Sequence, residues 1–250
     1  MKSRSILPAN EDKIVAILSP YLASFRDPGA GLGLVIDADR TLAPEDSGRL
    51  VGAIFGLNER IRHVFETLGY TDRAFEKVSE FWGQVEPVAY LQSAERVGEG
   101  IRLRPAWARV LRASIERAPA IVVSAGIPQI WRAVLNREGF SGVPVIGGCH
   151  PALDEFLVCP GTKAQIVNLI QRTGRRVLAA GDSAIDLQML QKADFPIFVP
   201  DDRGSPGLRA LLGKVPRVRH FLVDNQSFDD LATCRVEELL ELVIKGSNRP

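Results

Sequence analysis

The stretch GLGLVIDADRT, residues 31–41, decides the fold and carries the most informative polar residues of the chain. Residues 31–36 form a short apolar run, which is typical of a strand buried in a parallel sheet. The run ends abruptly at Asp37, and a second acidic residue, Asp39, follows after one alanine. Open parallel sheets place ligands beyond the carboxyl ends of their strands, so this pattern predicts a polar site there.

The remainder of the chain supports a parallel sheet. Beyond residue 104, apolar strand-like runs alternate with segments of helical periodicity, which predicts an α/β fold with helices on both faces of the sheet. The predicted strands are 31–36, 120–124, 143–146, 156–158, 176–180, 196–199 and 221–223. The predicted helices are 11–25, 105–117, 128–138, 162–172, 184–192 and 236–245. Asn10 is the expected cap of the first helix, and Thr162 with Gln165 has the spacing of a capping box.

Residues 46–104 differ from this pattern because they show helical periodicity and few strand-like runs. We therefore predict that 46–104 form a helical module inserted into a Rossmann-like core made of 1–45 and 105–250. Its apolar residues form two stripes: Val51, Ile54, Phe55, Ile61, Val64, Phe65 and Leu68 in the first, and Phe75, Val78, Phe81 and Trp82 in the second. We interpret the aromatic stripe as core packing rather than as the wall of a substrate pocket.

The bulk composition excludes several classes of function. The chain has 250 residues and a net charge of +1, which does not favour nucleic acid or an anionic membrane as a partner. No stretch reaches the roughly 18 uninterrupted apolar residues of a membrane span, and the N-terminus lacks the apolar segment of a signal peptide. The three cysteines lack metal-ligand or redox spacing, so we expect a cytoplasmic protein with reduced thiols. The sequence carries no signal for the oligomeric state.

Further polar side chains follow the other predicted strands and should meet the first two acids at one rim of the sheet. They are Thr41, Ser124, Lys163, Asp182, Ser183 and Asp186. Two carboxylates one residue apart can divide the chemistry, one attacking and the other handling the proton. Acids from another strand can hold a hard cation such as Mg²⁺. A lysine and a hydroxyl can bind the remaining oxygens of a phosphoryl group.

Taken together, these motifs resemble those of the haloacid dehalogenase superfamily of phosphohydrolases. DADRTL, residues 37–42, is similar to the first motif, and Ser124 and Lys163 match the second and third. GDSAID, residues 181–186, is similar to the fourth. The resemblance spans residues 32–199, and the helical insert after the first motif resembles the phosphoserine phosphatase-like branch.

The resemblance implies a magnesium-dependent phosphatase that hydrolyses a small phosphorylated metabolite through a phospho-aspartate intermediate at Asp37. Asp39 would be the general acid and base. The residues implied in phosphate binding are Thr41, Ser124, Ala125 and Lys163, and Lys163 is also implied in catalysis. The residues implied in holding Mg²⁺ are Asp37, Asp39 and Asp182, with Ser183 and Asp186 supporting the site around them. The insert would be a cap that closes over the substrate and excludes water.

Three other functions are consistent with parts of this pattern. A phosphomutase or phosphotransferase would use the same aspartyl-phosphate chemistry and is the main alternative. Asp39 argues against a carbon–halogen hydrolase, because that branch lacks the second acidic residue of the first motif and needs no metal. A binding module with a decayed site is disfavoured, since all the expected catalytic side chains are present.

The sequence says less about which residues recognise the rest of the substrate. Arg40 places a bulky cation beside the two acids of the first motif, where the superfamily more usually has a small or acidic residue. The candidates for reading an amino or acid group of the substrate are Glu45, Asp46, Arg73 and Arg96. Nothing in the insert matches a clamp for the carboxylate of phosphoserine.

Overall fold

The computed structural model describes residues 6–24, 31–115, 117–154, 157–200, 212–213, 215, 217–221 and 232–245. Its centre is a parallel sheet in which the strands lie in the order β3-β2-β1-β4-β5-β6-β7. The strands are β1 Leu32–Asp37, β2 Ala120–Ser124, β3 Val145–Gly147, β4 Arg176–Gly181, β5 Phe195–Phe198, β6 Arg219–Phe221 and β7 Ala232–Cys234. The predicted α/β architecture is therefore confirmed.

The helices complete this architecture. They are α1 Ile6–Ser24, α2 Ser47–Ile54, α3 Asn58–Leu68, α4 Asp72–Trp82, α5 Pro87–Gly100, α6 Pro105–Ser114, α7 Pro128–Arg137, α8 Pro160–Gln171, α9 Leu187–Lys192 and α10 Val236–Lys245. A short 3₁₀ turn, Ala184–Asp186, precedes α9. None of the described helices is long and apolar enough to cross a membrane.

The central strand β1 is apolar on both faces, and every residue in it is buried. Leu34 and Ile36 pack into one hydrophobic cluster, while Val35 packs into the cluster on the opposite face. Alternate side chains of a strand point to opposite faces, so helices must cover both sides of the sheet. Asp37 pairs in register with Val123 of β2, which brings the ends of neighbouring strands level with one another.

Between β1 and β2 the chain is helical, with α2 to α5 occupying residues 47–100 and no strand among residues 46–104. Side chains cap these helices: Asp46 accepts from the Arg49 amide at 2.9 Å, Thr71 caps α4 and Glu86 caps α5. Local sequence therefore specifies where these helices start. The division of the chain into a core and a separate cap stays a prediction.

The helical insert also contacts the rest of the protein away from the segments that connect it to β1 and α6. The turn between α4 and α5 lies against the loop after β3, where Nε2 of the buried His150 is 3.1 Å from the carbonyl oxygen of Val85. Nδ1 of the same ring is 3.3 Å from the amide nitrogen of Ala152. Because a carbonyl oxygen only accepts and an amide only donates, the ring is the neutral tautomer protonated on Nε2.

The structure corrects several predicted boundaries. The first helix begins at Ile6 and contains Asn10, so Asn10 is not its cap, and the predicted end at Phe25 lies outside the described residues. Helix α8 begins at Pro160, which leaves Thr162 and Gln165 inside the helix rather than in a capping box. Residues 157–158 are not a strand, while Phe156 and residues 222–223 lie outside the described residues.

Candidate active site

Four sequence motifs meet at the carboxyl edge of the sheet. Asp37 ends β1, Asp39 lies in the turn after it, and Asp182 directly follows β4. Lys163 reaches the same place from the first turns of α8. These four side chains line one cavity of about 530 Å³, which lies between this edge and the helical insert.

A buried cation joins two of the motifs. The ammonium group of Lys163 donates to Oδ1 of Asp37 and to Oδ1 of Asp186, the latter at 2.6 Å, and all three residues are at most 4% exposed. Burial alone lowers the pKa of Lys163, but the two carboxylates raise it above its usual value. Lys163 is therefore a permanent positive charge beside Asp37.

The Asp37 carboxyl has a raised pKa. Burial, together with the Asp186 carboxylate, raises the pKa of Asp37 to about 7 despite the opposing effect of Lys163. A carboxylate in this state is poorly hydrated and close to a fixed cation. Both features favour a nucleophile over an ordinary structural ion pair.

Asp39 is held by donors from two directions. The Ser47 amide donates to its Oδ1, and the Ser124 hydroxyl donates to its Oδ2 at 2.9 Å. The Gly126 amide in turn donates to the Ser124 oxygen at 2.9 Å, which fixes the hydroxyl. Burial and the Asp46 carboxylate raise the pKa of Asp39 above its usual value, and the hydrogen bonds from Ser47 and Ser124 oppose this effect. A fixed carboxyl with a raised pKa, two residues from Asp37, can serve as a general acid.

The end of β4 supplies the third acidic residue. Oδ2 of Asp186 accepts from the amides of Asp182 and Ser183 and from the Ser183 hydroxyl, at 3.2, 3.1 and 2.9 Å. Asp186 therefore shapes the turn that presents Asp182. Oδ2 of Asp182 is 3.1 Å from Nε of Arg40. Burial and the nearby Asp37 carboxylate raise the pKa of Asp182, and Arg40 opposes this effect.

Arg40 reaches Asp182 from an unusual backbone conformation. Its φ is 61°, in the left-handed region that residues other than glycine rarely adopt. The Arg40 amide donates to the Glu45 carbonyl at 2.9 Å, and the Arg104 side chain donates to the Arg40 carbonyl at 3.4 Å. The surrounding loop therefore holds this conformation and directs the guanidinium to Asp182.

The acidic residues fit a hard divalent cation. Carboxylate oxygens of Asp37, Asp182 and Asp186 lie within 4.8 Å of one another, and all three residues are buried. Mg²⁺ prefers oxygen ligands and is usually held by one or two carboxylates together with water. Lys163 and the turn at Ser183 occupy both oxygens of Asp186, so Asp37 and Asp182 are the better candidates for direct ligands.

The predicted phosphate-binding residues divide into two groups. Ala125 and Lys163 line the cavity, as does Ser183 from the fourth motif. Thr41 and Ser124 are fully buried behind it, where Ser124 bonds to Asp39 instead of facing the cavity. Gly126 also lines the cavity.

The structure also shows residues that sequence reasoning missed. Ser47 was not among the predicted site residues, yet its amide donates to Asp39. The interpretation of the aromatic stripe as core packing is incomplete, because Phe75, Val78 and Trp82 also line the cavity. An amphipathic stripe has the same spacing whether its face meets core or cavity, so no sequence signal separates the two.

A family model confirms the resemblance to the haloacid dehalogenase superfamily. The model for haloacid dehalogenase-like hydrolases matches residues 34–191, which is more than half of the chain. The chain belongs to the haloacid dehalogenase-like hydrolase family. No curated protein matches the sequence.

Several solved structures share the fold of this haloacid dehalogenase-like hydrolase. A family hydrolase from Salmonella enterica serovar Typhi is 17% identical with a TM-score of 0.60, and the match covers 87% of this chain and 73% of that one. A phospho-aspartyl intermediate analogue of phosphoserine phosphatase is 16% identical with a TM-score of 0.58, covering 86% and 99%. Cytosolic 5′-nucleotidase IIIB bound to cytidine is 18% identical with a TM-score of 0.55, covering 96% and 92%. At these identities the likeness shows the shared fold alone.

Proposed function

We propose that the protein is a magnesium-dependent phosphatase that hydrolyses a small phosphomonoester through a phospho-aspartate intermediate at Asp37. One observation carries this proposal: Asp37 lines the cavity with a buried lysine paired to it and a second, donor-held acid two residues away. Phosphatases of known structure share the fold, which is consistent with the proposal.

The reaction has two half-reactions in this proposal. Asp37 attacks phosphorus, the bond from phosphorus to the ester oxygen breaks, and Asp39 gives its proton to the leaving alkoxide. The ionised Asp39 then takes a proton from water as that water attacks the phosphorus of the phospho-aspartate. Phosphate leaves, and both carboxyl groups return to their starting states. The hydrogen bonds from Ser47 and Ser124 keep Asp39 in place for both proton transfers.

The charged neighbours make the attack on a phosphate dianion feasible. Lys163 lines the cavity beside Asp37 and supplies a fixed positive charge to the phosphoryl oxygens. Asp37, Asp182 and the backbone carbonyl of Asp39 would hold Mg²⁺, which when bound neutralises repulsion and draws charge from the phosphoryl group. Asp186 supports this site through Lys163 and the Ser183 turn.

The helical insert completes the proposal. Residues 46–104 would act as a cap over a core of 1–45 and 105–250, shielding the intermediate from bulk water. The three cysteines, Cys149, Cys159 and Cys234, are buried and unpaired, which supports a reducing, cytoplasmic location.

Metal removal tests the ligand assignment. We expect hydrolysis of p-nitrophenyl phosphate to fall to background in EDTA and to return with excess Mg²⁺. Without the cation, three buried carboxyl groups would repel the phosphate. Mg²⁺ should also raise the melting temperature of the wild type and should do so less in Asp182→Asn. Full activity in EDTA would contradict the proposed metal site.

A single methyl group at Gly126 tests the role of Asp39. A β-carbon at this position would lie 2.5 Å from Oδ2 of Asp39 and 3.2 Å from the Ser124 hydroxyl. We expect Gly126→Ala to lower kcat by about 10²-fold, since small misplacements of a catalytic group have effects of that order. Gly142→Ala is the matched control, because its β-carbon meets nothing within 4 Å. Unchanged kcat in a folded Gly126→Ala protein would mean that the position of Asp39 is not critical.

A further inference from the structure

The helical insert forms one wall of the cavity and contributes both polar and apolar side chains to it. The residues that form its apolar surface are Ile61, Phe65, Phe75, Val78 and Trp82. Phe75 and Trp82 are each 3% exposed, so they are packed into the insert as well as facing the cavity. The wall is therefore preformed rather than built from mobile surface side chains.

Ring contacts hold the aromatic residues of this wall in place. Phe65 packs edge-on against Phe75, with ring centres 5.2 Å apart, and its ring is tilted against that of Tyr70 at 5.0 Å. Trp82 is held edge-on by Tyr90 at 5.6 Å. Fixed aromatic rings bind flat apolar surface favourably, through offset or edge-to-face contacts.

Most of the side chains predicted to read an amino or acid group of the substrate do not line the cavity. Of the residues predicted to read an amino or acid group, Asp46 lines the cavity, whereas Glu45, Arg73 and Arg96 do not. Asp46 caps α2, and Arg40 lies 4.0 Å from it. An ammonium group would therefore compete with partners that Asp46 already has.

The remaining charged side chains of the insert wall are exposed to solvent. The carboxylate of Glu59 is paired with Arg62, and both side chains are exposed. Arg49 is also exposed, and its guanidinium makes no ion pair with the residues that the structure describes. Glu59, Arg62 and Arg49 are thus exposed, whereas the buried part of the insert wall includes Phe75, Val78 and Trp82.

The cavity is large compared with the phosphoryl group that its catalytic end would hold. Its volume of about 530 Å³ is in the range of sites for whole small molecules, roughly 300–1,000 Å³. We infer that the leaving alcohol of the substrate carries a flat, largely apolar ring that packs against the insert wall. This inference rests on the proposed phosphatase function and names the substrate class.

Three alkyl phosphates with and without a ring test the inference. The three are 2-phenylethyl phosphate, propyl phosphate and O-phosphoserine. Each releases an alcohol, so differences in kcat/KM report how the rest of the leaving group binds. We expect kcat/KM for 2-phenylethyl phosphate to exceed that for the other two by about 10²-fold, the effect of burying one ring. The alcohol 2-phenylethanol should inhibit competitively at concentrations at least about tenfold below those of 1-propanol.

A pair of phenylalanine variants assigns the preference to the wall. We expect Phe65→Ala to reduce the ratio of kcat/KM values for 2-phenylethyl and propyl phosphate by about tenfold. Phe55→Ala is the matched control, since Phe55 is also half-buried in the insert but does not line the cavity. This control should leave the ratio unchanged, whatever its effect on stability.

The outcomes separate the inference from the proposed function. Equal or faster hydrolysis of propyl phosphate or O-phosphoserine would overturn the ring inference and leave the phosphatase proposal standing. If none of the three phosphates is hydrolysed in the presence of Mg²⁺, both the ring inference and the phosphatase proposal are overturned. If Phe65→Ala does not fold, the test is inhibition of the wild type by 2-phenylethanol and 1-propanol. Equal inhibition by the two alcohols overturns the inference.

Discussion

Replacing Asp37 by asparagine should reduce turnover by about 10⁴–10⁶-fold, the range seen when a nucleophile is removed from an enzyme. The amide keeps the shape of the side chain but cannot attack phosphorus, so no covalent intermediate can form. Rapid-quench mass spectrometry of the peptide containing residue 37 would measure the added phosphoryl group directly. Asp186 still pairs with Lys163 in this variant, so the fold should be retained.

Asp39→Asn is the matched control for this prediction. It leaves Asp37 intact and removes the group proposed to move the proton, which should lower turnover by about 10²–10⁴-fold. The loss should be smallest for p-nitrophenyl phosphate, whose leaving group needs little protonation. With that substrate the phosphoryl group should appear on the peptide and persist, because water attack has lost its base. A covalent adduct in the Asp37 variant would overturn the assignment of the nucleophile.

Lys163→Met should be the most destabilising single change in the site. It removes the cation between two buried carboxyl groups, Asp37 and Asp186, whose side chains are 6% and 0% exposed. Breaking a buried ion pair in this way typically costs about 3–5 kcal/mol of unfolding free energy, because the remaining charge has lost its partner. Urea denaturation of the metal-free protein would measure the change, and turnover should fall together with stability.

Two further variants distinguish this effect from the loss of any lysine. Lys77→Met removes a lysine whose partner, Glu80, is exposed, and surface pairs of this kind contribute about 0–1 kcal/mol. Asp186→Asn combined with Lys163→Met should be less destabilising than the sum of the single changes, since the two groups interact directly. Additive effects would show that Lys163 and Asp186 are not coupled.

The sequence predicted the centre of the sheet well for a physical reason. The run 120–124 is the observed β2, because a continuous apolar segment is needed wherever both faces of a strand are covered. The convergence of Asp37, Lys163 and Asp182 followed from the parallel topology, which places the ends of neighbouring strands together. Strand β7, Ala232–Cys234, was missed, because three residues are too few to show a period.

The details that escaped prediction depend on tertiary contacts. Ser124 was expected to face the phosphate, but its hydroxyl points to Asp39, and the sequence position of a hydroxyl does not specify its rotamer. The cap of α8 was placed at Thr162, although the helix begins at Pro160, a residue well suited to a first turn. The direction in which the stripe of α4 faces depends on how the insert sits over the sheet.

The bond from the His150 ring to the Val85 carbonyl has a consequence for how quickly a ligand is captured. It joins the turn between α4 and α5 to the loop after β3, so any motion that separates the two must first break this hydrogen bond. If a ligand enters only when this hydrogen bond is broken, its apparent affinity scales with the fraction of molecules in that state. The hydrogen bond between His150 and Val85 would then affect how fast the ligand enters, without changing the rate of the chemical step at Asp37.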